Sequence, residues 1–204
     1  MKNVIYAIRA ALLVLAGFLA YKTYRVVMEP IEFERIEKRR FADVITSLED
    51  IREAQKLYKQ ENGQYTGDLD VLIGYVDTGM VDIRTRKDSS FMRYNEVYRT
   101  DMNVDTVIYR TIGTESVKER LFTSEYNAEA RMRYIPYSDN VEFEMDASVI
   151  DRNGVEVPVF EVKAGYDKIY HDLIAKGQYA YFIDENAELI IGSLTEPTLS
   201  GNWK

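Results

Sequence analysis

The sequence predicts an α+β protein: a long N-terminal helix, membrane-spanning in its first part and amphipathic in its second, followed by a small head with an antiparallel sheet. Three patterns carry this expectation. A nearly unbroken apolar stretch runs from Val4 to Tyr21, apolar residues then recur at spacings of three and four as far as Tyr58, and apolar and polar residues alternate from Val141 to Val149. These patterns divide the 204-residue chain into a transmembrane anchor (1–28), an amphipathic stalk helix (29–63), a helix- and loop-rich part of the head (64–128) and a β-rich part (129–204).

The Val4–Tyr21 stretch is apolar apart from Arg9. About 18 residues of helix rise about 27 Å, close to the hydrocarbon thickness of about 30 Å. Val4, Ile5, Ile8, Leu12, Leu13, Val14, Leu15, Phe18 and Leu19 are the residues expected to meet membrane lipid. Tyr6 at one end and Tyr21 and Tyr24 at the other suit the headgroup layers, and Arg9 is near enough to one interface to snorkel. The rival reading is a cleaved secretory signal, with Lys2 and Arg9 as its charged region and Val14-Leu15-Ala16 as its cleavage site. A buried helix of a soluble fold is a third. An uncleaved anchor is expected because the helical pattern continues through Lys22, Tyr24 and Arg25. Lys2 and Arg9 balance Lys22 and Arg25 across the span, so the charge rule gives no orientation. The short leading segment favours a cytoplasmic N-terminus in a bacterial inner membrane, crossed once, with a periplasmic head.

Glu29-Pro30 is expected to break the first helix or begin a second. Beyond it Phe33, Ile36, Phe41, Val44, Ile45, Leu48, Ile51, Ala54, Leu57 and Tyr58 form one apolar stripe, available for packing within the chain or between chains. The interleaved run from Glu34 to Arg40 reads as a solvated face with pairs such as Glu34–Lys38; contact of Lys38, Arg39 and Arg40 with lipid headgroups is the alternative. Asn62-Gly63 supplies a helix stop. Thr66 or Asp68 then caps a short helix to about Val76, which Gly79 ends.

The order of an apolar helix, its amphipathic continuation, Ala54-x2-Leu57-Tyr58-x3-Asn62-Gly63-x-Tyr65 and a short Leu69-x2-Leu72-Ile73 helix resembles the type IV pilins and the pseudopilins of type II secretion. The resemblance covers residues 1 to about 76, with Asn62, Gly63 and Tyr65 as its loop motif. The chain is also similar to membrane-anchored Bacteroidetes proteins, including Val157-Pro158-Val159-Phe160-Glu161-Val162 and Gly192-Ser193-Leu194-x2-Pro197-x3-Gly201-Asn202-Trp203. The pilin resemblance implies a structural subunit that assembles through its N-terminal helix, with other envelope subunits or further copies of itself as partners. The processing pattern of prepilins is absent. The only Gly-Phe pair, Gly17-Phe18, lies inside the apolar stretch, and Lys22 stands where those proteins carry a glutamate.

Residues 77–128 are polar and turn-rich, with one strand expected at Thr106–Thr111 and a short helix at Ser116–Phe122. Val141, Phe143, Met145, Ala147 and Val149 alternate with Glu142, Glu144, Asp146 and Ser148, a strand with one face on a core. Asp151-Arg152-Asn153-Gly154 is a hairpin turn, and the return strand Val155–Val162 carries Pro158, which calls for an edge or a bulge. Asp167–Ala175 reads as a helix bearing His171, and Tyr179–Ile183 with Glu188–Ser193 reads as a second hairpin.

Chemistry is constrained mostly by what is missing. There is no cysteine, hence no disulfide, no thiolate ligand and no thiol nucleophile. His171 is the only histidine, and no phosphate-loop, dinucleotide or nucleophile-elbow string occurs. The carboxylates Glu142, Glu144 and Asp146, and the loop Asp184-Glu185-Asn186, lack calcium-loop spacing and read as solvated surface. No catalytic residue, metal site or cofactor is expected. With 34 acidic against 26 basic residues, nucleic acid is excluded as a partner. The sixteen tyrosines suit packing surfaces whose hydroxyls stay wet.

Overall fold

The computed structural model describes residues 2–203; the side chains of residues 2–5, 7, 8 and 95 lie outside that description. Its first element, α1 (Lys2–Asn62), is a single helix of 61 residues, about 90 Å long. The expected break at Glu29-Pro30 does not occur, and Pro30 lies inside the helix. Ion pairs one turn apart brace both sides of it, Arg25–Glu29 at 3.6 Å and Glu34–Lys38 at 2.6 Å. What changes near Pro30 is the surroundings: residues 9–27 are exposed, whereas Phe33 begins the segment packed on the head.

The helix ends where the sequence places its stop. Gly63 has φ +78°, which a side chain would disfavour, and its N–H bonds the Lys59 carbonyl at 2.8 Å. Asp68 then caps α2 (Leu69–Thr78), its carboxylate accepting from the Asp70 and Val71 N–H groups at 2.8 and 3.3 Å. Leu69, Leu72, Ile73 and Val76 of α2 enter the core, and Gly79 closes the helix.

Next comes an element the sequence reading missed. Strands β1 (Met80–Asn95) and β2 (Thr100–Ser116) pair antiparallel along their whole length, with one bulge at Ile83/Arg84. The expected strand at Thr106–Thr111 is a fragment of β2, and the rest of this ribbon had read as loop. Nearly all its side chains past Val81 are exposed or half-buried, so no buried face imposes a hydrophobic period. The ribbon is about 50 Å long and its two strands form a sheet of their own. A short helix, α3 (Val117–Leu121), follows at its base.

The second sheet has the order β3-β4-β5, all antiparallel, with β3 (Glu144–Arg152) and β4 (Val155–Gly165) joined by the Asn153-Gly154 turn at φ +58° and +82°. Phe143 and Met145 are buried, but Val141 and Val149 are exposed, so the alternating face meets the core only in its middle. Pro158 sits opposite Val149. Counting alternate rungs from the turn, that pair exchanges no hydrogen bonds, so the missing N–H faces the other side of β4. There β5 (Glu188–Gly192) reaches only Glu161–Gly165, and the proline occupies open edge.

Two expectations for the last third need correction. The helix expected at Asp167–Ala175 is two short pieces, α4 (Tyr166–Ile169) and α5 (His171–Ala175), divided at Tyr170. Tyr179–Ile183 is not a strand, and β5 pairs with β4 instead. Tyr179 adopts φ +58°, and the chain folds over α1 so that the rings of Tyr179 and Phe182 lie 5.6 and 5.5 Å from Phe33. A π-helical turn at Glu129–Arg133, which no sequence pattern announced, inserts Met132 into the core. That core gathers the second half of α1, α2, the inner face of the three-stranded sheet and α4–α5.

Candidate functional site

The residues singled out in the sequence fall into two environments on one helix. Leu12, Leu13, Val14, Leu15, Phe18 and Leu19 are all more than half exposed, Leu13 at 75%. Val4, Ile5 and Ile8 belong to the same helix, with their side chains outside the description. α1 contains a stretch near the N-terminus long and apolar enough to cross a membrane, none of it buried against the head. Phe33, Val44, Leu48, Ile51 and Leu57 are buried, and Ile36, Phe41 and Tyr58 are partly buried against the same core. That core belongs to the chain's own head. Tyr65, beyond the Asn62-Gly63 stop, packs on Phe160 with ring centres 4.7 Å apart.

Polar ties flank this apolar seam. Asp50 of α1 accepts from Tyr126 at 2.7 Å and pairs with Arg131 at 3.3 Å, and Asp43 accepts from Tyr137. Burial and the bond to Asp50 push the Tyr126 phenol well above its ordinary value. Gln55, fully buried, donates to the Thr66 carbonyl at 2.5 Å and accepts from its N–H at 3.1 Å, pinning the loop after the helix.

Arg40 is a buried, paired charge, and sequence reasoning places it on a solvated face. It is only 8% exposed. Its guanidinium forks onto Asp172 at 2.6 and 3.0 Å, donates to the Ile169 carbonyl at 2.6 Å and lies over the rings of Tyr137 and Tyr170 at 4.7 and 5.8 Å. The missed signal was helical spacing, because Arg40 stands seven residues after Phe33 and four before Val44, on the stripe itself. Arg35, Ile36, Arg39, Arg40 and Tyr137 line a cleft of about 580 Å³ beside it. Tyr170 is fully buried; burial raises its phenol, and its hydroxyl has no hydrogen-bond partner among the described residues. His171 is exposed. Among the described residues no cluster of histidine and carboxylates could hold a metal ion.

The Arg40 hydrogen bonds hold the Asp172 carboxyl below the usual carboxylate range. A depressed folded value adds stability that is present above the unfolded value, about 3.9, and lost as pH falls through the folded one. The stability gap between the wild type and Asp172→Asn is therefore expected to be full at pH 6 and to shrink below about pH 4. Urea midpoints of both proteins at pH 6 and pH 3 measure it; a gap independent of pH would show that the ion pair contributes nothing.

Two further features lie apart from the core. At the foot of the head, Tyr21, Tyr24, Arg25, Met28, Glu29 and Glu32 of α1 share a cleft of about 340 Å³ with Gly177, Gln178 and Tyr179. On the ribbon, β1 carries Arg84, Arg86, Lys87 and Arg93 against Asp82 and Asp88, while β2 carries Asp101, Asp105 and Glu115 against Arg110. The register sets each of these charges opposite an uncharged residue, as in Arg93–Met102 and Asp105–Ser90. Complementary charge on the two strands is thus not matched rung by rung within the ribbon.

A scan against protein-family models and searches of the curated proteins and of the solved structures find no match to this chain. What it has in common with pilins and pseudopilins is a layout, a long apolar N-terminal helix followed by a small antiparallel-sheet head.

Proposed function

We propose that this chain is a non-enzymatic, membrane-anchored structural or assembly subunit of a bacterial envelope complex, pilin-like in layout. Its N-terminal helix crosses the inner membrane once, and its head stands in the periplasm. The observation that carries the reading is the bare half of α1, whose apolar side chains from Leu12 to Val27 have no cover from the head. An apolar surface of that extent in water would drive aggregation, and lipid is the solvent that suits it. The ribbon supports the assembly role, because both its edges and both its faces are open to other envelope subunits or to further copies of the chain.

A second reading, a monomeric membrane-tethered module that binds a ligand or partner, draws on a different observation. The stripe from Phe33 to Leu57 is covered inside the chain, which leaves that face of α1 no seam for a neighbour. Light scattering on the detergent-solubilised protein separates the two. The wild type is expected to exceed one protomer, and a variant with residues 84–111 replaced by an Asn-Gly turn is expected to run as a monomer. A wild-type chain that stays monomeric as concentration rises would overturn assembly through the ribbon and leave the tether.

A further inference from the structure

We infer that the loop from Lys176 to Phe182 is a second membrane contact, with Tyr181 resting in the headgroup layer of the bilayer that α1 enters. The inference builds on the anchored reading above and adds to it a surface of the head that meets lipid.

Position comes first. Gly177, Gln178 and Tyr179 line one cleft with Tyr21, Tyr24 and Arg25, the residues at which the apolar stretch gives way to the charged stalk. Tyr179 donates to Glu32 at 3.3 Å, so the loop is tied to α1 at that level and reaches down the helix toward Tyr21. Tyr21 and Glu32 are separated by about 17 Å of helical rise. The interfacial layer on each side of a bilayer is about 5–8 Å deep. The cleft runs from Tyr21 to Glu32, so its lower end opens on that layer when the stretch ending at Tyr21 fills the hydrocarbon, and the loop forms its wall on the side of the head.

Chemistry agrees with position. Tyr181 is fully exposed at 101%, Phe182 is 44% exposed, and Ala180 between the tyrosines is exposed as well. An isolated exposed tyrosine needs no explanation. Here it is carried by the loop whose cleft reaches down to Tyr21 and Tyr24, and amphipathic rings gathered near the end of an apolar stretch are what an interfacial belt requires. From Lys176 to Ile183 the chain has no acidic residue and one lysine, although its net charge is −8. On the helix Arg25 is paired with Glu29, and Glu32 accepts from Tyr179, so the charge left to meet an anionic leaflet at this foot of the head is that of Lys22 and Lys176. The loop is held firmly enough to present its ring, because Tyr179 and Phe182 both lie against Phe33.

Two points of contact fix the inclination of the head over the bilayer, which a single helix could not do. The chain has no cysteine, so single-cysteine labelling needs no prior engineering. The full chain is reconstituted in phosphatidylethanolamine–phosphatidylglycerol vesicles with a fluorophore at Ala180→Cys, at Leu19→Cys in the span, or at Asn153→Cys in the exposed hairpin turn. Quenching by iodide and by a headgroup-nitroxide lipid is then measured. The label at 180 is expected to lose iodide quenching relative to 153 and to gain quenching by the nitroxide lipid. Adding Tyr181→Asp should reverse both changes. If 180 behaves like 153 while 19 is shielded from iodide, the loop contact is overturned and the anchor stands. If 19 is as open to iodide as 153, the anchored reading falls with it. A label at 180 that stays shielded after Tyr181→Asp removes Tyr181 as the contact residue.

Discussion

Replacing Leu13 and Leu15 together with arginine is expected to transfer the full chain from the membrane fraction to the soluble fraction. Both residues lie near the middle of the apolar stretch and are exposed at 75% and 51%, so neither contributes to the core of the head. An arginine at the centre of a span costs about 3 kcal/mol, and two cost about 6 kcal/mol, roughly four decades in partition. The substitutions are more than four helical turns from Phe33, where packing on the head begins, so the head should keep its circular dichroism and its unfolding midpoint. Fractionation after lysis without detergent measures the transfer, with Leu13→Ala and Leu15→Ala as the control. A double-arginine variant that still pellets with membranes, or a wild type that does not, would remove lipid as the surrounding of this helix.

Leu48→Ala is expected to lower the unfolding free energy by about 3 kcal/mol, and the unfolding midpoint by about 10 °C. Leu48 is fully buried on α1 in the same cluster as Leu72, Val76, Phe160 and Ile191, which come from α2 and the sheet. Truncation there opens a hole in a cluster that α1, α2 and the sheet fill together, and a close-packed core of that kind collapses poorly around a hole. Leu15→Ala on the bare half of the same helix removes as many atoms and should leave the midpoint unchanged. Thermal unfolding of both variants in the same detergent makes the comparison. A Leu48→Ala loss below about 1 kcal/mol would mean that α1 is not part of the core of the head.

The parts of this fold that could be read in advance are those where one face is dry. The stripe through Val44, Leu48 and Ile51 has a helical period because a core lies along it, and the Asn153-Gly154 hairpin follows from residues that accept positive φ. The ribbon has no dry face, and its scattered charges gave residues 77–128 the look of a loop. Arg40 was misplaced for the opposite reason, since its composition advertised solvent while its position on the stripe buried it beneath two tyrosines. Residues 179–183 are aromatic and apolar enough for a strand, yet the rings of Tyr179 and Phe182 had a better surface in Phe33 than in a ladder. Tertiary contact decided each of these cases, and local pattern does not record it. The foot of the head was hidden likewise, because its two halves are about 150 residues apart in the chain and meet only once α1 and the sheet have packed.

The unbroken passage of α1 through Pro30 has a mechanical consequence. A proline inside a helix removes the bond that its nitrogen would have given to the carbonyl four residues earlier, here that of Val26. That weakened turn lies between the bare stretch that ends at Val27 and the stretch that packs on the head from Phe33. A sideways load on the head concentrates bending at this turn, where one backbone bond is missing and side-chain ion pairs brace the helix. The shaft bends most easily there, so the seam around Leu48 keeps its packing when the helix is strained.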